Sequence, residues 1–381
     1  IGHSGLLANG PGGTINALQH AVVEAQLLNQ GTLNVNATMV LTQSGSTHTN
    51  TGTINLNNDL NIGGEFSNAG VINFGTATLN APSAPAQTFR VIGQSGLLAN
   101  GPGGTINAQQ HAVVEAQLLN QGTLNVNATM VLTQAGSTHT NTGTINLNND
   151  LEIGGEFSNN GVMNFGSATF NGPAAPAQTF RFIGHSGLLA NGPGGTINAL
   201  QHAVVEAQLL NQGTLNVNAT MVLTQSGSTH TNTGTINLNN DLNIGGEFSN
   251  AGVINFGTAT LNAPSAPAQT FRVIGQSGLL ANGPGGTINA LQHAVVEAQL
   301  ANQGTLNVNA TMVLTQAGST HTNTGTINLN NDMEIGGEFT NNGVMNFGSA
   351  ALNAPSAPAQ GFRVIGHSGL LANGPGGTIN A

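Results

Sequence analysis

Large apolar residues alternate with polar or β-branched ones in short runs along the whole chain. Thr53-Ile54-Asn55-Leu56 and Val71-Ile72-Asn73-Phe74 are two such runs. A period of two is the signature of a strand with one face buried. Val23, Ala25 and Leu27 are therefore expected to point inward, with Glu24 and Gln26 outward; Leu60 and Ile62 flank an outward Asn61 in the same way. Between the runs stand Asn and Gly, the residues of turns.

The runs recur with a strict period of 91 residues, and self-similarity on that scale decides the architecture. Ile1-Gly2-His3-Ser4-Gly5-Leu6-Leu7 returns at Ile92, Ile183, Ile274 and Ile365. This divides the chain into repeats 1–91, 92–182, 183–273 and 274–364, with 365–381 starting a fifth. Alternate copies match: 1–91 and 183–273 are identical, whereas the second and fourth share Gln94/Gln276, Ala135/Ala317, Glu152/Glu334 and Met163/Met345. The chain starts at Ile1 rather than Met and stops mid-cycle, so a longer array is expected.

Within each 91 residues a shorter signature appears, Asn-x-Gly-x-(Ile/Leu)-Asn. In the first copy it supplies the candidate turn and ladder residues: Asn29, Gly31 and Asn34; Asn50, Gly52 and Asn55; Asn68, Gly70 and Asn73. Gly13, Gly31, Gly52 and Gly70 follow one another at intervals of about 18–21 residues, the length of one solenoid unit. The next interval, from Gly70 to Gly104, is nearly twice as long. Dividing it through Ala81-Pro82-Ser83-Ala84-Pro85 gives five units of about 16–21 residues in each copy. Units this short are too small for helix pairs and suit single coils of short strands and turns. The expected fold is all-β: a parallel β-helix, or β-solenoid, with about 18 residues per coil and five coils per 91-residue repeat, forming one continuous stack. Gly is expected at positive φ in the turns, and Asn at equivalent places can form ladders between coils.

Differences between copies test the facing. Asn61 becomes Glu152 and Glu334, which suits an outward position. Ile72 becomes Met163 and Met345, an apolar exchange suited to a core. Leu18 becomes Gln109, which places Leu18 at a corner or outside.

Composition narrows the function. Charged residues make up 5% of the 381, against about 25% in ordinary domains. Hydrophobic residues at 38% argue against disorder, and the 55 Gly lack the three-residue period of collagen. The four basic residues are Arg90, Arg181, Arg272 and Arg363, and the net charge is -10. Nucleic-acid binding, which needs clustered cations, is excluded, as is attraction to an anionic membrane. No apolar run approaches the roughly 20 residues of a membrane span. Cys is absent, which suits a secreted bacterial protein that uses neither disulfides nor metals.

The carboxylates Glu24, Asp59 and Glu65 return every 91 residues, as does Glu152 in alternate copies, so no single cleft is distinguished. With no Trp or Tyr to form sugar platforms, they read as solvated surface and not as a glycosidase pair. His3, His20 and His48 read as surface or turn histidines, with weak metal binding as the lesser alternative. No cofactor and no enzymatic activity are expected. Arg90 is expected to pair with Glu65 or Asp59. Asn36-Ala37-Thr38 and its copies at Asn127, Asn218 and Asn309 match the N-glycosylation acceptor. Thr14/Asn16, Thr32/Asn34 and Thr53/Asn55 form outward rows of the kind used by ice-binding solenoids, interrupted by Val71.

The Asn-x-Gly-x-Ile-Asn coils resemble the β-helical shafts of filamentous-haemagglutinin-type adhesins and autotransporter passenger domains. The Gly-Gly-x-Gly-x-Asp calcium repeat and the acyltransferase hexapeptide are absent. The resemblance implies secretion, display on a bacterial surface and contact with other cells. The expected function is a structural extracellular fibre or stalk, with an adhesin or ice-binding face as the alternative. The expected partners are further copies, joined end to end or laterally, and a cell-surface or glycan contact.

Overall fold

A computed structural model describes residues 5–42, 45–75, 88–92, 96–133, 136, 138–166, 179–183, 187–224, 227, 229–257, 270–274, 278–315, 318, 320–350, 363–366 and 370–381. His3, Gln94, Gln276, Ala135, Ala317 and Ala81–Pro85 lie outside these residues. The described residues hold strands and turns and no helix.

Each coil contributes three short strands. In the first copy these are β1 (Leu6–Asn9), β2 (Thr14–Ala17) and β3 (Ala21–Val23); β4 (Gln26–Asn29), β5 (Thr32–Val35) and β6 (Met39–Leu41); β7 (Thr47–Asn50), β8 (Thr53–Leu56) and β9 (Leu60–Ile62); and β10 (Glu65–Asn68), β11 (Val71–Phe74) and β12 (Thr88–Ile92). The next copy opens with β13 (Leu97–Asn100), β14 (Thr105–Ala108) and β15 (His111–Val114). Strands three apart pair in parallel, so the first strands of successive coils build one sheet, the second strands another and the third strands a third. The chain is a parallel β-solenoid with a three-sided coil.

The coils number four per 91 residues, not five. β10 pairs directly with β13, Asn68 opposite Asn100, and β11 pairs directly with β14, Val71 opposite Thr105. No coil intervenes, so the interval from Gly70 to Gly104 that reads as two units is a single long one. Its extra residues fall between Phe74 and Thr88. At a parallel strand spacing of about 4.8 Å, four coils rise by about 19 Å.

The long coil also shifts the third sheet. Val91 on β12 pairs with Leu60 below and with Val114 above, whereas in the regular coils Leu60 aligns with Met39 and Met39 with Ala21. The ladder slips by two residues at β12. Because side chains alternate with period two, a slip of two keeps the inward set inward, where a slip of one would turn it out.

Inward positions carry the core. Val23, Ala25, Leu27, Ile54, Leu60, Ile62 and Phe66 are buried, as are Met163 and Met345 in the place of Ile72. Glu152 sits at the outward middle of its strand, and Leu18 is 55% exposed. Aromatic rings meet inside: Phe157 and Phe182 edge to face at 6.3 Å, and Phe165 and Phe180 at 5.8 Å. The chain divides into two compact units, Ile1–Leu189 with Gly195–Ile197, and Ala190–Gly194 with Asn198–Ala381. The same coil plan holds within each.

Candidate functional site

The signature residues form two asparagine ladders on opposite sides of one corner. The first Asn ends each first-sheet strand and turns inward, where Asn29, Asn50 and Asn68 are fully buried. Each donates Nδ2–H to Oδ1 of the next coil: Asn9 to Asn29 at 2.8 Å, Asn29 to Asn50 at 2.7 Å, Asn50 to Asn68 at 2.8 Å and Asn68 to Asn100 at 2.8 Å. The same Nδ2 groups also serve the backbone; that of Asn29 reaches the carbonyls of Gly31 at 3.2 Å and Thr53 at 3.1 Å. The second unit repeats the ladder, with Asn211 to Asn232 at 2.7 Å and Asn232 to Asn250 at 2.8 Å. Buried amides are tolerated because the next coil satisfies them.

The last Asn of the signature is the third residue of each second-sheet strand and faces outward. Asn34, Asn55 and Asn73 form a second ladder with the donors reversed. Asn34 donates to Asn16 at 2.8 Å, Asn55 to Asn34 at 2.8 Å and Asn73 to Asn55 at 2.9 Å. The inner amides donate toward the C-terminal coil and the outer ones toward the N-terminal coil, so their dipoles oppose. Two residues before each outer Asn stands an outward row of Thr14, Thr32, Thr53 and Thr105, held in register through Val71.

Gly31, Gly52 and Gly70 join the two ladders, and their role differs from the expected one. None has positive φ; that conformation belongs to Gly12 (77°), Gly45 (78°) and Gly75 (87°). The signature glycines are required by close approach of successive coils. A Cβ on Gly31 would lie 2.2 Å from the Gly13 carbonyl oxygen, one on Gly52 2.1 Å from that of Gly31, and one on Gly70 2.2 Å from that of Gly52.

Histidine also departs from expectation. His20 is exposed, and its Nδ1 accepts from the Thr38 amide at 3.3 Å. His48 is not a surface or turn residue: it is fully buried on β7, as are His139, His230 and His321 in the later copies. Aligning the first-sheet strands on their terminal Asn would have revealed this. Gln26-Leu27-Leu28-Asn29, Thr47-His48-Thr49-Asn50 and Glu65-Phe66-Ser67-Asn68 put His48 in the inward place of Leu27 and Phe66.

The few charges gather where the long coil meets its neighbours. The Asp59 carboxylate accepts from the Arg90 amide at 3.0 Å, while the Arg90 guanidinium pairs with Glu115 in the coil above. Arg90 thus meets Asp59 through its backbone and Glu115, not Glu65, through its side chain. Burial raises the Asp59 carboxyl above its usual range, opposed by the Arg90 hydrogen bond and charge. The Glu115 hydrogen bond and charge raise the Arg90 guanidinium further. Arg363 instead turns back on Asp332, at 2.8 Å from Nη2.

The glycosylation acceptors are shut. Asn36 is 1% exposed, and Asn127, Asn218 and Asn309 are 0% exposed at the corner between the second and third sheets. A glycan cannot be attached there once the coil has formed. No group of three or more His, Cys, Asp or Glu able to hold a metal occurs among the described residues. Among them, no helix is long and apolar enough to cross a membrane. A small cavity of about 20 Å³ lies in the core between Phe74, Val91, Ile106, Ala108, Ala112 and Met130, and has room for about one water. Its walls are almost wholly apolar, so it offers a ligand no orienting group.

One family model, described as Repeat of unknown function (DUF5907), matches residues 19–76, 108–166, 201–258 and 287–348. Each match spans the second and third coils of its copy and omits the Pro-rich interval. No curated protein matches, and no solved structure matches.

Proposed function

The chain belongs to that repeat family, and from that premise we propose that it is a passive structural element, a length of extracellular fibre or stalk. The supporting observation is uniformity. Within each compact unit the described coils are joined by parallel ladders in three sheets and by inner and outer asparagine bonds of one kind, and the same carboxylates return every 91 residues. Chemistry on a substrate needs one place unlike the rest, whereas carrying tension along an axis needs every place alike. Low charge removes repulsion between neighbouring copies, so lateral bundling or end-to-end association fits the same role. Trypsin finds targets only at the four Arg.

The likeness of the signature to bacterial adhesin shafts favours display at a cell surface. Antibodies raised against the purified repeat are expected to label intact producer cells or material shed into the medium. Label that enters only after permeabilisation overturns the extracellular reading.

The outward face of the second sheet favours a second reading, a binding face. Thr14, Thr32 and Thr53 stand in register beside Asn16, Asn34 and Asn55, a rigid polar lattice that could meet ice or a glycan. Thermal hysteresis or retention on a glycan array, lost when Thr32 and Thr53 are replaced by Lys, is the expected result under that reading. A chain inactive in both assays leaves the structural role alone.

A further inference from the structure

One first-sheet pairing in each copy is incomplete. First-sheet neighbours usually pair over all four residues, as β7 does with β10 and β10 with β13. β4 and β7 pair only through Leu28–Thr49 and Asn29–Asn50. The same shortfall recurs where Leu119 and Asn120 pair with Thr140 and Asn141, where Leu210 and Asn211 pair with Thr231 and Asn232, and where Ala301 and Asn302 pair with Thr322 and Asn323.

Side chains close the gap. Inside, the Leu27 amide donates to Nδ1 of His48 at 3.2 Å; Leu118, Leu209 and Leu300 donate to His139, His230 and His321 at 3.2, 3.2 and 3.1 Å. Outside, Gln26 Nε2 donates to the Thr47 carbonyl at 2.9 Å. A ring nitrogen that accepts carries no proton, so the neutral imidazole holds its hydrogen on Nε2. A second proton must go to Nδ1. There it would face the Leu27 N–H, donor against donor, and put a charge in the apolar row between Leu27 and Phe66.

We infer that each 91-residue repeat carries an acid-operated seam between its second and third coils, where the first sheet parts when the buried imidazole takes up a proton.

The surroundings offer the imidazolium little relief. None of β4 to β9 in the first copy bears a charged side chain; in the second and fourth copies the β9 counterpart carries Glu152 or Glu334 at its outward middle position. Glu24 precedes β4 and Asp59 precedes β9. Glu65 on β10 lies opposite Thr47, and its carboxylate accepts from Thr47 Oγ1 at 3.2 Å on the outside. Burial pushes the imidazoles of His139, His230 and His321 from 6.5 down to about 4. In an opened seam the ring returns to its ordinary 6.5, so the open form binds protons more readily than the closed one. The closed seam is therefore at full strength above pH 6.5 and weakens as the pH falls toward 4. Between pH 7.5 and 4.0 the opening constant rises roughly 10²-fold per seam.

Hydrogen exchange read by mass spectrometry on the whole chain, corrected for the intrinsic pH dependence of the rate, tests this directly. Protection of Gln26–Leu28 and its three copies is expected to fall about 10²-fold from pH 7.5 to 4.0, while that of Leu97–Ala99, in an unbroken ladder, changes far less. Equal change in both segments, or none in either, overturns the inference. His139→Leu is expected to abolish the acid response at Leu118 and leave the other three seams responsive; a persisting response at Leu118 also overturns it. Should that variant fold poorly, imidazole nitrogen shifts of the unaltered chain decide. Buried rings protonated on Nε2 at neutral pH support the seam, and rings protonated on Nδ1 overturn it.

Discussion

The inner and outer asparagine ladders use the same side chain, the same coil-to-coil register and nearly the same Nδ2–Oδ1 distance, as in Asn29 to Asn50 at 2.7 Å and Asn55 to Asn34 at 2.8 Å. They differ in what surrounds them. Asn50 is sealed inside and has no water to fall back on, whereas Asn55 is only part-buried. The net worth of a hydrogen bond is about 1 kcal/mol, but an abandoned buried partner costs about 1–3 kcal/mol. Geometry alone would rank the two ladders as equals; desolvation makes the inner one a requirement for closing the coil and the outer one an adjustment to its surface. The glycine between them belongs to both, because it lets successive corners touch.

The largest effect is therefore expected at that corner. Gly52→Ala puts a methyl group about 2.1 Å from the Gly31 carbonyl oxygen, which is backbone and cannot swing away. The coils must separate there, breaking both ladders at once, at a cost upwards of about 3 kcal/mol. A long repeat array need not unfold in one step, so the measurement is local: hydrogen exchange across Asn50–Leu56 against the unaltered counterpart at Asn232–Leu238. Unchanged protection at Asn50–Leu56 would show that the corner has room to spare.

Asn50→Ala comes next. It strands Oδ1 of Asn68 in the interior and leaves the part-buried Val71 carbonyl without its side-chain donor, while the Asn29 amide keeps the Gly31 and Thr53 carbonyls, and about 1–3 kcal/mol of local protection is expected to go with the loss. If Asn50→Ala costs no more than the outer substitution below, burial is not what separates the ladders.

These contrasts also mark what the sequence made legible. Alternation in Val71-Ile72-Asn73-Phe74 and exchanges such as Asn61 to Glu152 revealed the strands and their facing, because period two is local and survives inspection of a few residues. The coil count was not local. The stretch from Gly70 to Gly104 divides as naturally into two short coils as into one long one, and only the pairing of Asn68 with Asn100 decides. Gly52 was recognisable as necessary, but a positive φ and a close neighbour leave the same mark on a sequence. His48 reads as a surface residue by the usual habit of its type; its burial shows only when it is placed beside Leu27 and Phe66. Asn36 looks like an open acceptor for the same reason, since its three-residue motif carries no information about the corner that buries it.

The smallest effect belongs to the outer ladder. Asn55→Ala removes one donor to Asn34 and one acceptor for Asn73, and water can take both places. About 0.5–1 kcal/mol or less of local protection is expected to be lost. The sharper question is whether such a ladder polarises along its length, each amide strengthening the next. Asn34→Ala, Asn55→Ala and the double variant form a cycle that answers it, because Asn34 and Asn55 bond directly. A double variant that loses less than the sum of the singles, by about the value of one bond, means that the pair acts alone. A deficit well beyond one bond means that the row acts as a unit, and the outer ladder then braces the coils in spite of its exposure.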